Sequence, residues 1–429
     1  MYIATSRSSD AASGVTAEAG RTPALRRVSA NVVALGMVSL VTDISSEMVT
    51  AVLPLYLVLG LGLNPLQFGL LDGLYAGATA VVRLLGGHVA DRWRRLKAVA
   101  GFGYGLSAVC KLGLLAAGSS VAAIGAVLAA DRTGKGLRTA PRDALISLSS
   151  DPATLGRSFG VHRAMDTVGA FLGPLVAMAV LWLSLGNYQA VFFTSFCIAA
   201  IAVLLLGLFV RDRKSPPEVL PTAEGTSAQS ERVRTSVRAA FGLLRDAPFR
   251  RISIWAALLG LVTIGDSFVY LVLQRRWSVE PQLFPLLPLG TAGVFLLLAV
   301  PLGRLADRVG RWAVFLAGHV ALGAALLILA GPTGGIWIAV CALALHGAFY
   351  AATDGVLMAA AGPLLPTGLR ATGMAVIQTG QAVARMASSV LFGLAWTVWD
   401  LRPAVFVAAG VLLVAVLAAA VVKPWAVRA

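Results

Sequence analysis

From residue 31 almost to the C-terminus, apolar stretches of span length follow one another, separated by short polar connections. Twelve can be drawn, at approximately 31–58, 66–88, 98–117, 120–146, 156–183, 189–210, 252–274, 283–303, 312–330, 335–360, 370–397 and 403–422. A helix needs about 20 residues to cross a hydrocarbon layer about 30 Å thick. A soluble chain of this size would show polar faces and mixed charge between its elements. The pattern therefore predicts an all-α polytopic membrane protein with 12 transmembrane helices.

Composition sharpens this. Of 429 residues, 58% are apolar and 13% charged, against about 25% charged in soluble chains. That balance excludes a disordered chain and a nucleic-acid-binding domain. The formal charge of +15 fits a membrane protein equally well. The Lys and Arg residues cluster in the connections, where they meet anionic headgroups of membrane lipids and set topology. Cys110, Cys197 and Cys341 lie in apolar runs without metal-ligand spacing and are expected to be free, buried thiols.

Residues 1–30 lack the apolar core of a signal peptide and read as a cytoplasmic tail. One long connection, 211–251, holds Pro216, Pro217, Pro221 and nine Lys/Arg. Within it, Val237–Phe249 interleaves apolar and basic residues like a helix lying on a membrane surface. The chain thus divides into a tail (1–30), a first six-span unit (31–210), a basic cytoplasmic linker (211–251), a second six-span unit (252–422) and a C-terminal tail (423–429). Connections 59–65, 118–119, 184–188 and 331–334 contain no Lys or Arg, whereas the N-tail, connections 2–3 and 8–9, the long linker and the C-tail are basic; Arg275, Arg276 and Arg402 are the exceptions. The positive-inside bias predicts both termini in the cytoplasm of a multi-pass protein of the plasma (inner) membrane.

The halves repeat. GGHVADRWRRLK (Gly86–Lys97) follows the second span, LGRLADRVGRW (Leu302–Trp312) follows the eighth, and Asp91 and Asp307 are 216 residues apart. Two copies of a six-span unit are a plan used by secondary transporters, with the site between the halves.

These motifs resemble the loop motif G-x-L-a-D-r-x-G-R-r of the major facilitator superfamily. Gly303, Leu305, Asp307, Arg308, Gly310 and Arg311 match it closely; Gly87, Asp91, Arg92 and Arg95 match it with Val89 and Arg94 as departures. Arg132-Thr-Gly-Lys-Gly136 resembles the family's R-x-x-x-G pattern linked to proton transfer. Gly169-Ala-Phe-Leu-Gly173-Pro174 resembles the G-x-x-x-G-P helix-packing signature of proton-coupled exporters, although Ala177 and Met178 stand where a further glycine pair is usual. Asp43-Ile-Ser-Ser-Glu47-Met48 and Asp131–Asp143 resemble a facilitator branch without an assigned substrate. The resemblance implies two pseudo-symmetric six-helix bundles, alternating access and a monomer. It also implies that the first helix of each three-helix repeat lines the cavity.

Charge deep in a bilayer costs at least about 2.5–3.5 kcal/mol, so such residues should face a partner or water. Spans 6, 9 and 12 hold no Asp, Glu, Lys or Arg, whereas spans 1, 4, 7 and 10 do. Asp43 and Glu47 are four apart on one helix face. They read either as proton or substrate carriers or as permanent partners of span 4, with Arg132 the first choice. Asp131, Arg132, Lys135, Arg138 and Arg142 fall within about a 120° arc, a charged ladder. Lys111 in span 3 is expected to snorkel outward. Arg163 and Asp166 share a face beside His162; His162 and His346 read as packing residues more than relays. Asp266, Asp354, Gln378, Gln381 and Arg385 are expected to line a cavity in the second half. Tyr75, Tyr270 and Tyr350 read as packing or as substrate contacts. Arg142 and Asp143 are expected to meet Asp91, Arg92 and Arg95 in a cytoplasmic latch that stabilises the outward-facing state. The deep charges of the first half nearly balance, which favours neither an anion nor a cation as substrate.

The sequence thus predicts a secondary active transporter, not an enzyme. Proton-coupled efflux of a small, amphipathic molecule by antiport leads; proton-coupled uptake of a sugar, organic anion or metal chelate is the alternative. Protons are the coupling ion, and no other cofactor or metal is expected. A membrane enzyme would need a nucleophile–base set or metal cluster, and a sensor a soluble output domain; the sequence holds neither. No P-loop occurs to drive a pump.

Overall fold

The computed structural model describes residues 28–92, 95–151, 154–212, 242–332, 334–365 and 370–421, without the side chains of 79–92 and 370–372. Twelve helical spans cross in sequence. The first six are α1 (Ala30–Leu55), extended by a π-turn at Tyr56–Gly60, then α2 (Pro65–Arg92), α3 (Leu96–Ala116), α4 (Val121–Leu148), α5 (Leu155–Leu183) and α6 (Tyr188–Phe209). The seventh is split into α7 (Ala247–Val262) and α8 (Asp266–Trp277); α9 (Leu286–Val309) and α10 (Arg311–Ala330) follow. The tenth is split into α11 (Ile336–Thr353) and α12 (Val356–Ala361), and α13 (Arg370–Trp399) and α14 (Leu401–Val421) complete the set. Ten spans are long and apolar enough to cross a membrane. The other two long helices are α2 and α4, and α4 carries the charged ladder.

The same five helix pairings occur in both halves. In the first, α1 packs on α5 and α6, α4 on α2 and α3, and α3 on α6. In the second, α7 packs on α13 and α14, α11 on α9 and α10, and α10 on α14. This is the pseudo-symmetry that the repeated loop motif predicts. Outward faces are apolar, as lipid requires: Leu208 on α6 and Leu417 on α14 are 77% and 68% exposed.

Local chemistry sets the ends. Asp246 accepts a hydrogen bond from the Phe249 N–H at 3.1 Å, so α7 starts at Ala247 rather than near residue 252. The expected surface helix is not continuous. Its residues 237–241 lie outside the described residues, the chain turns at 244–246, and Phe249 is buried in α7. Gly310, at φ 106°, ends α9 at Val309, six residues beyond the expected limit, because only glycine takes that backbone readily. Spans 7 and 10, expected to be continuous, break at Thr263–Gly265 and at Asp354–Gly355, where Gly355 has φ 79°. Freed backbone groups are tolerated at such depth only beside water or protein partners, and both breaks border a cavity.

The halves meet through α2 and α13. Added Cβ atoms at Gly69, Gly73 and Gly393 would strike the carbonyls of Ser389, Met386 and Pro65, so these glycines let two backbones touch. Beside them, Phe68 of α2 packs edge-on against Phe268 of α8 at 4.8 Å, and Phe268 against Phe392 of α13 at 4.9 Å. The Leu66 N–H donates to Thr397 Oγ1 at 3.2 Å. Further along α13, a Cβ at Gly380 would have nothing within 4 Å among the described residues. The halves are sealed against each other where α2 begins.

Candidate functional site

A cavity of about 640 Å³ lies between the halves. Its first-half wall carries Glu47 and Thr50 of α1 and Asp72 and Tyr75 of α2. Opposite stand Gly265–Ser267 and Tyr270 at the start of α8, and Tyr350 with the Thr353–Gly355 break. Gln378, Gln381, Arg385 and Ser389 of α13 close the ring. Their spacing (378, 381, 385, 389) keeps them on one helix face.

Asp72 caps the sealed end. Its carboxylate accepts from Ser389 Oγ at 2.7 Å and faces the Ser267 hydroxyl, so it meets two helices of the second half. Asp266 accepts from the Tyr350 hydroxyl. His346 Nε2 lies 3.4 Å from it, and the Arg385 guanidinium acts on it electrostatically. His346, fully buried, also contacts Thr291 Oγ1 through Nδ1 at 3.4 Å.

The first half keeps most of its charge away from this cavity. Among the described residues no side chain of α4 lies on its wall. Asp131 accepts from Arg132 at 2.6 Å and from Ser107 Oγ at 2.5 Å, with Lys111 Nζ at 3.9 Å. Lys111 is 3% exposed and donates to the Ser107 carbonyl at 2.9 Å. It therefore pairs inward rather than snorkelling, because the ion pair is nearer than the headgroups. Arg132 stacks 4.0 Å from the centre of the Tyr75 ring and pairs with its neighbour Asp131 rather than with Asp43 or Glu47. Buried charges answered in this way need no water.

Further along the ladder, Arg138 lies 3.9 Å from Asp43 and over the Tyr104 ring. Asp43 and Asp166 are in hydrogen-bond contact, joining α1 to α5. Arg142 lies 3.8 Å from Asp166 and 3.0 Å from Asp143, and donates to Ser39 Oγ at 3.3 Å. Ser39 in turn contacts His162 Nε2 at 2.9 Å. Lys135 lies in the field of both Glu47 and Asp43. The result is a carboxyl pair flanked by Arg138 and Arg142, with the exposed Arg163 guanidinium 3.9 Å from Asp166, spanning three helices.

Of the expected residues, Glu47, Asp266, Asp354, Gln378, Gln381 and Arg385 lie on the cavity wall, as do Tyr75, Tyr270 and Tyr350. Others do not. Asp43, Asp131, Arg132, Lys135, Arg138 and Asp166 stand behind it. The Arg163 side chain is 80% exposed and lines nothing, because its helix face turns outward. The expectation that span 4 lines the cavity is replaced by α2 and α13, since α4 packs against α2 and α3. The cysteines are free, but Cys197 and Cys341 are exposed rather than buried.

Of the latch residues, the side chains of Gly87, Asp91 and Arg92 lie outside the described residues. Arg95 is exposed at the start of α3, and Arg142 turns to α1 and α5. In the second copy Arg311 bonds Asp307 at 3.0 Å and the Ala359 carbonyl at 2.7 Å, tying the 8–9 turn to α12; Gly303 and Arg308 lie on α9 beside it. In α5, a Cβ at Gly169 would strike the Leu40 carbonyl and one at Gly173 would lie 2.6 Å from Glu47 Cβ. Pro174 and the fully buried Ala177 continue that seam. Asp72 is a site residue that the sequence patterns did not single out. The available signal was a lone acid within an otherwise apolar stretch of α2, Leu66–Val82.

Twelve spans in two like halves around a polar central cavity define a membrane transporter rather than an enzyme. The Major Facilitator Superfamily model matches residues 35–296, and the chain belongs to that family. It is 28% identical over 384 residues to an uncharacterized MFS-type transporter of Methanocaldococcus jannaschii, covering 87% of this chain and 90% of that one. An uncharacterized protein of Mycobacterium tuberculosis is 33% identical over 187 residues, 44% of this chain and 45% of its own. In structure the chain is similar to the nucleoside transporter NupG, with a TM-score of 0.75 and 18% identity over 90% of this chain and 98% of that one. A POT family transporter in complex with 5-aminolevulinic acid follows at a TM-score of 0.72 and 14% identity, covering 92% and 96%. The chain is a secondary transporter and a multi-pass membrane protein.

Proposed function

We propose that the chain is a proton-coupled antiporter that exports a small molecule across the plasma membrane by alternating access, with both termini in the cytoplasm. In that orientation the seal at the start of α2 faces outward. The observation that carries the coupling is the Asp43–Asp166 contact. Two carboxyl groups set side by side cannot both ionise cheaply, so such a pair is suited to take up and release one proton. Arg138 and Arg142 flank the pair, so its loss of that proton is answered by charge already in place. Glu47, one turn from Asp43 on the same helix, stands on the cavity wall, and Lys135 lies in the field of both. A proton arriving at the pair and a substrate at the wall therefore act on one helix.

Export is supported by the α1–α5 seam. Gly169 and Gly173 bring the α5 backbone against α1, and they belong to the signature that resembles proton-coupled exporters. The chain's similarity to nucleoside and peptide transporters, at 18% identity or less, selects no substrate.

The test uses proteoliposomes with an imposed pH gradient and an internal pH dye. A transported compound should dissipate the gradient with wild-type protein, and Asp43→Asn or Asp166→Asn should abolish that response while leaving the protein folded. Full proton movement in both variants would leave the pair a static brace, and substrate movement without proton movement would make the chain an uncoupled facilitator.

A further inference from the structure

We propose that the central cavity takes an organic cation and that Asp72 is its counter-charge. The inference rests on reading that cavity as the transport site and names the chemistry it selects.

Among the described residues, the cavity wall carries four carboxylates, Glu47, Asp72, Asp266 and Asp354, against one cation, Arg385. The charges are not equally answered. Glu47 lies in the fields of Arg132 and Lys135. Asp266 has Arg385, His346 and the Tyr350 hydroxyl. Among the described residues Asp72 faces the Ser389 and Ser267 hydroxyls, and the charged group acting on it is Asp266, another acid. Asp354 has no cationic partner within 4.0 Å among the described residues. The positive charge of the first half is spent behind the wall, on Asp131, Asp43 and Asp166. Near-neutrality of the whole half therefore coexists with a negative chamber.

A carboxylate facing a low-dielectric chamber without a counter-charge is costly, and a cation entering that chamber relieves the cost. An anion meets the same field with the opposite sign, and the Arg385 guanidinium, which acts on Asp266 without an ion pair within 4.0 Å, is outnumbered by the four carboxylates. Tyr270, Tyr350 and Phe284 supply ring faces, which attract desolvated ammonium groups. A volume of about 640 Å³ suits a small organic molecule.

Asp72 has a second property. Its two hydroxyl partners, Ser389 and Ser267, belong to the other half. A cation seated on Asp72 competes with those bonds, so substrate occupancy bears directly on the seal between the halves.

The experiment measures equilibrium binding to the full-length protein in lipid nanodiscs without any gradient. The probe is tritiated benzyltrimethylammonium, whose charge does not depend on pH. Competitors are a graded series of tetraalkylammonium ions, the uncharged isostere neopentylbenzene, and benzoate. Binding should saturate, yield to the cations and resist both neopentylbenzene and benzoate. Asp72→Asn, which keeps an acceptor for both serines, should weaken binding at least tenfold. Asp354→Asn, at an exposed helix break, gives a second reading in the same direction, while Glu280→Gln in the outer turn should change nothing. The proposal is overturned by no saturable binding of any quaternary ammonium, by equal competition from neopentylbenzene, by displacement by benzoate, or by unchanged affinity in both Asn variants. Cation binding that survives in a chain unable to move protons would strike the coupling reading alone; proton coupling without cation binding would strike only this one.

Discussion

Gly73 tests whether the α2–α13 seam is the barrier that seals one side. A Cβ there would sit 2.7 Å from the Met386 carbonyl oxygen and 3.3 Å from Met386 Cγ. Carbon–oxygen contacts between helices normally settle at about 3.3–3.6 Å, so the backbones must part by roughly 0.6–0.9 Å. The obstacle is a helix carbonyl and cannot rotate away. Overpacking by one methyl in a fitted interface costs about 1–3 kcal/mol. That cost falls only on the sealed state, because separating α2 from α13 removes it. Gly73→Ala should therefore shift the population toward the state open at this end by about 5–150-fold. Spin labels at the exposed Leu70 and Val398, introduced after replacing Cys110, Cys197 and Cys341, report the opening as a longer distance by double electron–electron resonance. Gly380→Ala, on α13 with nothing within 4 Å, is the control and should leave the distribution unchanged. An unaltered distance in Gly73→Ala, with stability also unaltered, would show that this seam is not the barrier.

The remaining predictions concern buried charge and packing. Removing Asp131 leaves Lys111 and Arg132 as like charges, so Asp131→Asn should cost about 3–5 kcal/mol. Lys111→Met leaves a neutral Asp131–Arg132 pair and should cost clearly less; thermal unfolding in detergent compares the two. Gly169→Ala presses a methyl onto the Leu40 carbonyl and should lower stability by about 1–3 kcal/mol, whereas Gly160→Ala on the same helix meets nothing and should be neutral in the same assay. Arg163→Ala, at an exposed position, should change stability by no more than about 0.5 kcal/mol and leave transport at the wild-type rate.

Much of the architecture was legible because it is written in one dimension. Span length and hydropathy need no partner, so twelve spans and their repeat follow from the chain alone. The cost of burying charge is also local, which is why Glu47, Asp266, Asp354 and Arg385 stood out and do reach the cavity. Partner choice is different. Whether Arg132 turns to Asp43 or to Asp131, and whether Lys111 points to lipid or to Ser107, depends on the direction each helix face presents to its neighbours. One residue of register rotates that direction by about 100°.

What the sequence determined by itself was the membrane as solvent, the two like halves and the set of side chains too costly to leave unanswered. Only the tertiary structure decided that α4 spends its charge inside the first half, away from the described cavity wall. It also decided that spans 7 and 10 break beside the cavity and that Asp72 joins the halves. The physical reason is that these are relations between helices distant in the chain. Asp72 and Ser389, separated by 317 positions, meet because Gly69 and Gly73 let two backbones touch. No pattern along either helix alone encodes that approach.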